Sequence, residues 1–471
     1  MHRKTLAFAL VVLGTTVRPL GAQAADTSLR ARVDRVFAAY DRTDSPGCAL
    51  GVYRDGRVAY ARGYGMANLE LGVAITPASV FDIGSTSKQF TAASILLLAQ
   101  QGKLSLDDDL RKHIPELPNY GKTITIRHIL NHTSGIRDYL TLWNLAGVND
   151  ADLTTSADAL ELIVRQRELN FGPGEQWLYS NSGFFLASEI VKRASGKTLA
   201  QFAEEHIFRP LGMTSTRFND DHMAIIPRRA TGYAPRPGGG FATSMSNFEQ
   251  TGDGAVQTSI EDLLKWDENF YGPTVGGAEM LTALQTNAVL NDGRKQTYAL
   301  GLTVDSYRGL KTVSHGGSWA GYRAELLRFP DQHLSVATLC NLASTNPSQL
   351  ARRVADVYLG ERMVAADAAP MPAPQGQPPV PPSTWTPSTT DLAAFAGTYF
   401  SPELETTYSL TVENGRLVVQ RRRARIALMP TTTDAFTARG VQFRFTRENG
   451  RVTGFAVDAG RTRNLRFDRA K

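Results

Sequence analysis

Residues 81–100 have the sequence Phe81-Asp-Ile-Gly-Ser85-Thr-Ser-Lys88-Gln-Phe-Thr-Ala-Ala-Ser-Ile-Leu-Leu-Leu-Ala-Gln100, which predicts a turn leading into an apolar helix. A helix places Ser85 and Lys88 on one face. A serine hydroxyl becomes a useful nucleophile only when a base lies within hydrogen-bond reach. An amine one turn away is such a base once burial lowers its pKa from about 10.4. The helix N-terminus would stabilise the oxyanion that forms on attack.

The Ser-x-x-Lys pattern is weak by itself, because a helix cap followed by a solvated lysine gives the same letters. Two other stretches strengthen the interpretation. Phe171-Gly-Pro-Gly-Glu-Gln-Trp-Leu-Tyr179-Ser-Asn181 presents a tyrosine and an asparagine ahead of a predicted helix. Val313-Ser-His315-Gly-Gly317-Ser318-Trp-Ala-Gly-Tyr322 is a glycine-rich break in a strand pattern. The three stretches together predict a nucleophilic site.

In order and spacing, these stretches resemble the three motifs of the serine β-lactamase and penicillin-binding superfamily: Ser-x-x-Lys, Tyr-x-Asn and Lys/His-x-Gly. The match is class C-like, a group that includes D-alanyl-D-alanine carboxypeptidases, D-aminopeptidases and esterases. The phrases at 130–135 and 252–263 agree, so the resemblance covers about residues 30–360. It implies an α/β fold with an antiparallel sheet flanked by helices plus an all-helical region.

The resemblance also implies a role for each motif residue. Ser85 is expected to form an acyl-enzyme, with Lys88 and Tyr179 as a coupled proton relay in which either one is the general base. Asn181 is expected to donate a hydrogen bond to the substrate. The backbone N–H groups of Ser85 and Ser318 are the expected oxyanion hole.

The third motif departs from the usual pattern at its first position. His315 stands where β-lactamases and transpeptidases carry lysine, and histidine is mostly neutral near pH 7. The lysine cation that would attract a substrate carboxylate is thus replaced by a mostly neutral side chain. Arg323, on the adjoining strand pattern, is an alternative anchor for that carboxylate. Gly317 lets the strand edge approach the substrate. We therefore expect a hydrolase of the esterase or D-amino-acid peptidase type, acting on a small-molecule or peptide substrate.

Two other functions fit the same residues. One is a D-alanyl-D-alanine carboxypeptidase or class C-like β-lactamase. The other is a non-catalytic sensor that binds β-lactams or cell-wall peptides; the retention of Ser85, Lys88, Tyr179 and Asn181 argues against it. No cofactor is expected.

Two further patterns resemble other catalytic sites. His128 and His132 have the spacing of a zinc pair but lack the glutamate of a metalloprotease helix, so no metal is assigned. Ser318 lies in a near match to the nucleophile elbow of α/β-hydrolases, which makes it a rival to Ser85. An elbow needs a strand, a turn and a helix, and a second strand pattern follows here instead.

The composition of successive stretches divides the 471 residues into segments. Basic residues, an apolar run and Ala22-Gln-Ala24 predict a cleaved signal peptide at 1–24, and hence a periplasmic or secreted protein without a stable membrane anchor. A hydrolase domain at 25–362, a Pro-rich linker at 363–391 and a small barrel-like β domain at 392–471 follow. The formal net charge of +6 falls to +3 without the signal, which argues against nucleic acid as a partner.

Three expectations concern surfaces and packing. Cys48 and Cys340 each lie in an apolar run and are interpreted as buried free thiols, although export would permit a disulfide. The basic run at 421–425 is interpreted as a solvated strand face. The Pro-rich linker predicts few contacts between the two domains, so that the hydrolase domain would fold alone.

Overall fold

The computed structural model describes residues 20–365, 385–422 and 424–470. Residues 1–19 of the predicted signal peptide and residues 366–384 of the predicted linker lie outside the described residues. Among the described residues, no helix combines the length and apolar character that a membrane span requires. The α-helices in this part of the chain are α1 Leu20–Phe37, α2 Lys88–Gln100, α3 Leu110–His113, α4 Ile126–Leu130, α5 Tyr139–Ala146, α6 Ser156–Val164, α7 Asn181–Ser195, α8 Leu199–Ala203, α9 Ile260–Glu268, α10 Gly277–Leu284, α11 Pro347–Leu359 and α12 Thr389–Ala393.

Strands of the N-terminal domain form one large sheet and three small ones. The large sheet is antiparallel, with the order β10-β11-β12-β13-β1-β2. The strands are β1 Cys48–Arg54, β2 Arg57–Tyr64, β3 Met66–Asn68, β4 Val73–Ala74, β5 Phe81–Asp82, β6 Arg217–Phe218, β7 Tyr233–Pro235, β8 Phe241–Thr243, β9 Val256–Thr258, β10 Thr303–Tyr307, β11 Leu310–Trp319, β12 Tyr322–Phe329 and β13 Leu334–Cys340.

Helices cover both faces of the large sheet, which is why β1 and β13 are apolar at nearly every position. Leu50 and Val52 of β1 pack with Val33 and Phe37 of α1 and Val354 of α11 in one core. The opposite face packs against α9, and an all-helical region that includes α2, α4 and α7 lies beyond the sheet. The expected antiparallel sheet with flanking helices is confirmed.

The two cysteines are paired, so the free-thiol interpretation was wrong. Cys48 and Cys340 are opposite each other in the register of β1 and β13, with Cα atoms 4.0 Å apart, and they form a disulfide. The two cysteines are 292 residues apart in sequence. Only the strand pairing brings them together, and that pairing could not be deduced from two separate apolar runs.

A turn beside the active site precedes strand β10. Strand β10 begins at Thr303, and residues 298–302 make a turn in which Ala299 N–H donates to Leu302 O. Gly301 adopts a φ of +73° at this turn, which favours glycine. The turn matters for the site because it positions Tyr298.

Nine antiparallel strands form the described part of the C-terminal β domain. Their order is β17-β16-β15-β14-β22-β21-β20-β19-β18, and the two edge strands β17 and β18 are separated along the chain only by Leu428. The sheet is therefore a nearly closed barrel, as predicted. Its strands are β14 Gly397–Ser401, β15 Thr406–Glu413, β16 Arg416–Arg421, β17 Ala424–Ala427, β18 Met429–Thr432, β19 Ala435–Ala438, β20 Val441–Glu448, β21 Arg451–Ala459 and β22 Thr462–Arg469.

A buried polar seam joins the barrel to the N-terminal domain. Arg137, whose side chain is fully buried, donates to Glu403 Oε1 at 2.7 Å and to the carbonyl oxygens of Arg463 and Asn464 at 3.0 and 2.9 Å. Tyr408 Oη donates across the same seam to a carbonyl of α5 at 2.6 Å. The expectation of few contacts between the domains was therefore wrong, since the linker's composition says nothing about the surfaces that it joins.

Part of the basic run belongs to this seam as well. Arg421 donates to the carbonyl oxygens of Asn144 and Leu145, at the end of α5. Arg422 donates to the carbonyl of Gly147 at 3.3 Å. These two arginines donate to carbonyls at a helix C-terminus, where cations are favoured. The solvated-face interpretation is therefore wrong for Arg421, which is partly buried, whereas the side chain of Arg422 is 55% exposed.

Candidate active site

Ser85 and Lys88 lie at the junction of a short 3-10 turn, Gly84–Ser87, with helix α2. Lys88 Nζ is 3.0 Å from Ser85 Oγ, as the helical spacing predicted. The lysine side chain is fully buried, and burial lowers its pKa to about 7. An amine with this pKa is partly neutral at physiological pH, so it has the lone pair that a general base needs.

Two more acceptors fix the Lys88 amine. Nζ donates to Asn181 Oδ1 at 3.0 Å and to the backbone carbonyl of Asp253. A neutral amine has two N–H donors and one lone pair, which match these two acceptors and the Ser85 hydroxyl. The geometry therefore orients the Lys88 lone pair toward Ser85.

Asn181 was expected to donate a hydrogen bond to the substrate, but in the structure its side chain contacts Lys88 and Asp138. Its side-chain Nδ2 donates to Asp138 Oδ2 at 2.8 Å, and its oxygen accepts from Lys88. Asp138 also accepts from the backbone N–H of Asn181, at 2.7 Å. Asp138 thus fixes the orientation of the amide, and Asn181 positions the lysine. Sequence reasoning missed Asp138, because a single aspartate after the 130–135 phrase has no distinguishing spacing.

Tyr179 is partly buried beside Lys88, with its ring centre 4.9 Å from Lys88 Nζ. Its hydroxyl makes no hydrogen bond of good geometry to a described residue. Burial raises its pKa, and the nearby Ser85 hydroxyl and Arg461 guanidinium offset part of the rise. Since burial lowers the pKa of Lys88 and raises that of Tyr179, the structure favours Lys88 as the base and Tyr179 as a proton donor.

His315 lies in β11 and is neutral, as expected. Burial lowers its pKa to about 3. Its Nδ1 is 2.6 Å from the Gly316 carbonyl, which requires an N–H there, and its Nε2 therefore accepts from Tyr298 Oη at 2.8 Å. Both ring nitrogens are occupied within the protein, so His315 supports the aromatic wall beside Tyr179 and is not a cation for the substrate.

Strand β11 packs directly on the turn that carries Ser85. A Cβ on Gly317 would lie 1.8 Å from Ile83 O, and one on Gly84 would lie 2.7 Å from Ser318 N. Only glycine allows this approach, which places the Ser318 backbone N–H beside the nucleophile turn as an oxyanion hole requires. Ser318 itself lies within β11 opposite Arg323 of β12, so it occupies no strand–turn–helix elbow.

The histidines of the apparent zinc pair have separate structural positions. His128 caps α4 through Thr125, whose backbone N–H donates to His128 Nδ1 at 3.2 Å. His132 packs on the Tyr179 ring at a centroid distance of 4.1 Å and accepts from Ser180 N–H at 3.1 Å. His132 thus orients the tyrosine motif.

Asp253 is a second acidic residue that sequence reasoning did not assign, although it lies in the 252–263 phrase. It is buried, and burial raises its pKa to about 6 while the Lys88 charge opposes that rise. Tyr139 Oη donates to its carboxylate at 3.0 Å. Asp253 in turn raises the pKa of Lys88 by charge attraction, so it moderates the effect of burial on the base.

The barrel also contributes to this site. Arg461, in the turn between β21 and β22, places its guanidinium carbon 4.5 Å from the Tyr179 ring centre. Sequence reasoning missed this residue, because no motif links the C-terminal domain to the other three stretches.

Many of these groups line one cavity of about 790 Å³. Ser85, Tyr179 and Asn181 belong to its lining, and Phe248 and Trp319 give it an apolar side. Its wall also includes three arginines, which are Arg229, Arg323 and Arg461. The replacement of lysine by His315 therefore does not leave the cavity without cations, and Arg323, the alternative anchor expected from the sequence, is one of them.

A family model described as Beta-lactamase matches residues 33–361. The chain belongs to this family. The D-aminopeptidase of Brucella anthropi is 30% identical over 332 residues, 69% of this chain and 62% of that protein. Penicillin-binding protein 4* of Bacillus subtilis is 30% identical over 300 residues, 61% of this chain and 66% of that protein. The chain thus spans less than two thirds of the length of these relatives.

The fold similarity extends beyond the family match. The octameric penicillin-binding protein homologue from Pyrococcus abyssi has a TM-score of 0.64 and 22% sequence identity, covering 94% of this chain and 99% of that one. At this identity the similarity concerns the fold alone. The superfamily resemblance of the three motifs is confirmed, and the structure brings those motifs together around one serine.

Proposed function

We propose that this β-lactamase-family protein is a serine hydrolase that forms an acyl-enzyme on Ser85 and cleaves ester or amide bonds. The observation that carries the proposal is the buried Lys88 amine, 3.0 Å from Ser85 Oγ, with its pKa lowered to about 7. A structural lysine would be paired with a carboxylate side chain, whereas Lys88 bonds a hydroxyl, an amide oxygen and a backbone carbonyl.

The first half-reaction follows from these positions. Ser85 Oγ bonds to the acyl carbon as its proton passes to Lys88 Nζ. The backbone N–H groups of Ser85 and Ser318 stabilise the negative oxygen of the tetrahedral intermediate. Collapse of that intermediate breaks the bond to the leaving nitrogen or oxygen. The leaving group takes up a proton from the relay of Lys88 and Tyr179.

Water completes the reaction. It attacks the acyl carbon, gives one proton to the relay, and the bond between the acyl carbon and Ser85 Oγ breaks. The acid leaves and the serine recovers its proton. Asn181 and Asp138 hold the Lys88 amine in place throughout, because their hydrogen bonds do not depend on the substrate.

The relatives support two substrate classes. Peptides and amides of D-amino acids are consistent with the D-aminopeptidase relatives, and cell-wall peptides or β-lactams with the penicillin-binding relative. Arg323 and Arg461 on the cavity wall favour the second class more than the sequence did. The predicted signal peptide at 1–24 supports action in the periplasm or outside the cell.

Covalent labelling tests the proposal. Wild-type protein is expected to react with a fluorophosphonate and to turn over p-nitrophenyl esters. Ser85→Ala should do neither, whereas Ser318→Ala should still be labelled because its backbone N–H is intact. Labelling by penicillin without turnover of any ester would instead identify a sensor. Labelling lost in Ser318→Ala and kept in Ser85→Ala would overturn the nucleophile assignment.

A further inference from the structure

Arg461 enters the active-site cavity from the barrel, and its backbone is firmly held there. The Arg461 carbonyl accepts from Asn170 Nδ2 at 3.0 Å and from the Asp138 backbone N–H at 3.3 Å. Asn170 Oδ1 also accepts from Arg463 N–H, at 2.8 Å. The turn that carries Arg461 is therefore anchored on both sides to the N-terminal domain.

The guanidinium of Arg461 lies beside the relay. Its carbon is 4.5 Å from the Tyr179 ring centre, and its charge contributes to lowering the pKa of Lys88 after the dominant effect of burial. The side chain is 44% exposed and forms part of the cavity wall. A cation in this position is both accessible from the cavity and close to the reacting groups.

The Arg461 donors have no hydrogen-bond acceptor among the described residues. The nearest carboxylate oxygen is Asp138 Oδ2, at 4.0 Å. That oxygen already accepts from the backbone and side-chain N–H groups of Asn181. Because a guanidinium has five N–H donors in a planar fork, most of its bonding capacity is left for a ligand.

The other two arginines that line the cavity interact with other groups of the protein. Arg323 Nη1 donates to the carbonyl oxygens of Ala320 and Tyr322 at 3.0 and 2.6 Å. Arg229 lies close enough to the buried carboxyl of Asp82 to oppose the rise of its pKa. Arg461 is the one of these three that lies over Tyr179.

We propose that Arg461 binds a carboxylate on the leaving-group side of the substrate and so determines specificity. This inference rests on the proposed function, in which the relay of Lys88 and Tyr179 protonates the leaving group. A planar guanidinium binds a carboxylate through two parallel hydrogen bonds. The same charge repels a leaving group that carries an ammonium. The barrel therefore selects acyl donors with an anionic leaving group.

Three thioesters of N-acetyl-D-alanine test the charge preference. Their leaving groups are thioglycolate, which carries a carboxylate; thioglycolamide, which is neutral; and thiocholine, which carries a quaternary ammonium. Release of the thiol gives kcat/KM for each substrate. Comparing the ratios between variants cancels the different intrinsic reactivities of the three thioesters.

In Arg461→Gln, the ratio of kcat/KM for the thioglycolate thioester to that for the thioglycolamide thioester should fall at least tenfold. The kcat/KM for the thiocholine thioester should rise relative to that for the neutral one. Arg461→Lys should retain part of the preference, because the charge remains without the fork. The matched control is Arg463→Gln, two residues along, whose guanidinium donates to Gln176 Oε1 at 3.0 Å. Its ratios should stay within about twofold of wild type.

Unchanged ratios in Arg461→Gln would overturn the inference. The inference would also be overturned if the ratio of kcat/KM for the thioglycolate and thioglycolamide thioesters fell only in Arg323→Gln. That result would assign carboxylate binding to β12. Fluorophosphonate labelling separates these failures from failure of the proposed function. If Ser85 is labelled and the ratios do not move, only the role of Arg461 is wrong. If wild type is neither labelled nor active on any thioester, both proposals fail.

Discussion

Arg137 and Glu403 form a buried ion pair across the seam, with side chains that are 0% and 5% exposed and 2.7 Å apart. Removing one partner of such a pair leaves an uncompensated buried charge, which costs about 3–5 kcal/mol. Glu403→Ala should therefore lower the free energy of unfolding by about that amount. Chemical denaturation with fluorescence detection measures the change.

Glu405→Ala is the matched control for this pair. Glu405 is 62% exposed and pairs with Arg165 nearby, so its loss should cost less than about 1 kcal/mol. Equal effects of the two variants would show that the seam contributes little. A stable, soluble protein ending at residue 365 would restore the original expectation of independent domains.

The pH dependence should follow the ionisation of Lys88. Only the neutral amine accepts the Ser85 proton, and the pKa of Lys88 is lowered to about 7. Thus kcat/KM should rise with pH through about 7 and level off above it, falling about tenfold per pH unit on the acid side. A stopped or continuous assay of ester hydrolysis between pH 5 and 9 measures the profile.

Asp253→Asn should shift the acid limb of the kcat/KM profile, where activity falls, to lower pH. Burial has the largest effect on the pKa of Lys88 and lowers it; the Asp253 carboxylate opposes that effect, and the Arg461 charge adds to it. Removing the negative charge therefore favours the neutral amine. A limb that moves to higher pH, or does not move, would contradict the assignment of Lys88 as base.

A cation placed at position 315 should impair the enzyme. His315 is 7% exposed, and its Nε2 accepts the hydrogen bond of Tyr298. In His315→Lys the Tyr298 hydroxyl loses the acceptor for its proton, and the new charge lies near Lys88. We expect kcat/KM to fall at least tenfold for a neutral ester and a carboxylate-bearing β-lactam alike, which corresponds to about 1.4 kcal/mol.

His315→Gln is the control, since its side-chain oxygen can still accept from Tyr298. It should lose less activity than His315→Lys. A selective gain for the β-lactam in His315→Lys would support the sequence argument that a cation is missing from the third motif.

The disulfide should stabilise the N-terminal domain. It closes a loop of 292 residues between paired strands, and native disulfides typically contribute about 2–4 kcal/mol. The double variant Cys48→Ser, Cys340→Ser should unfold at lower denaturant concentration by that free energy. Reducing agent should destabilise wild type and leave the double variant unaffected. No effect of reduction on the wild type would mean that the thiols are free in solution.

The sequence predicted what depends on local geometry. The spacing of Ser85 and Lys88 follows from a single helical turn. The order of three motifs then predicted that Tyr179 would join them. Each of these inferences used residues close in sequence or a pattern shared by a superfamily.

What the sequence did not predict depends on contacts between distant segments. Cys48 and Cys340 pair through sheet register, and Asp138 and Asn181 meet only because two helices begin side by side. The docking of Arg461 requires the shapes of two domains at once. Such contacts are set by the packing of whole surfaces, for which neither composition nor periodicity gives a signal.

The position of Arg461 has a consequence for biosynthesis. Residues 25 to 362 leave the ribosome before Glu403 and Arg461, so the buried charge of Arg137 has no partner and Tyr179 has no guanidinium beside it until the barrel is made. The domain seam and the active site are therefore completed together, late in synthesis. Proteolytic nicks in the last strands of the barrel would affect both the stability of the N-terminal domain and the choice of substrate.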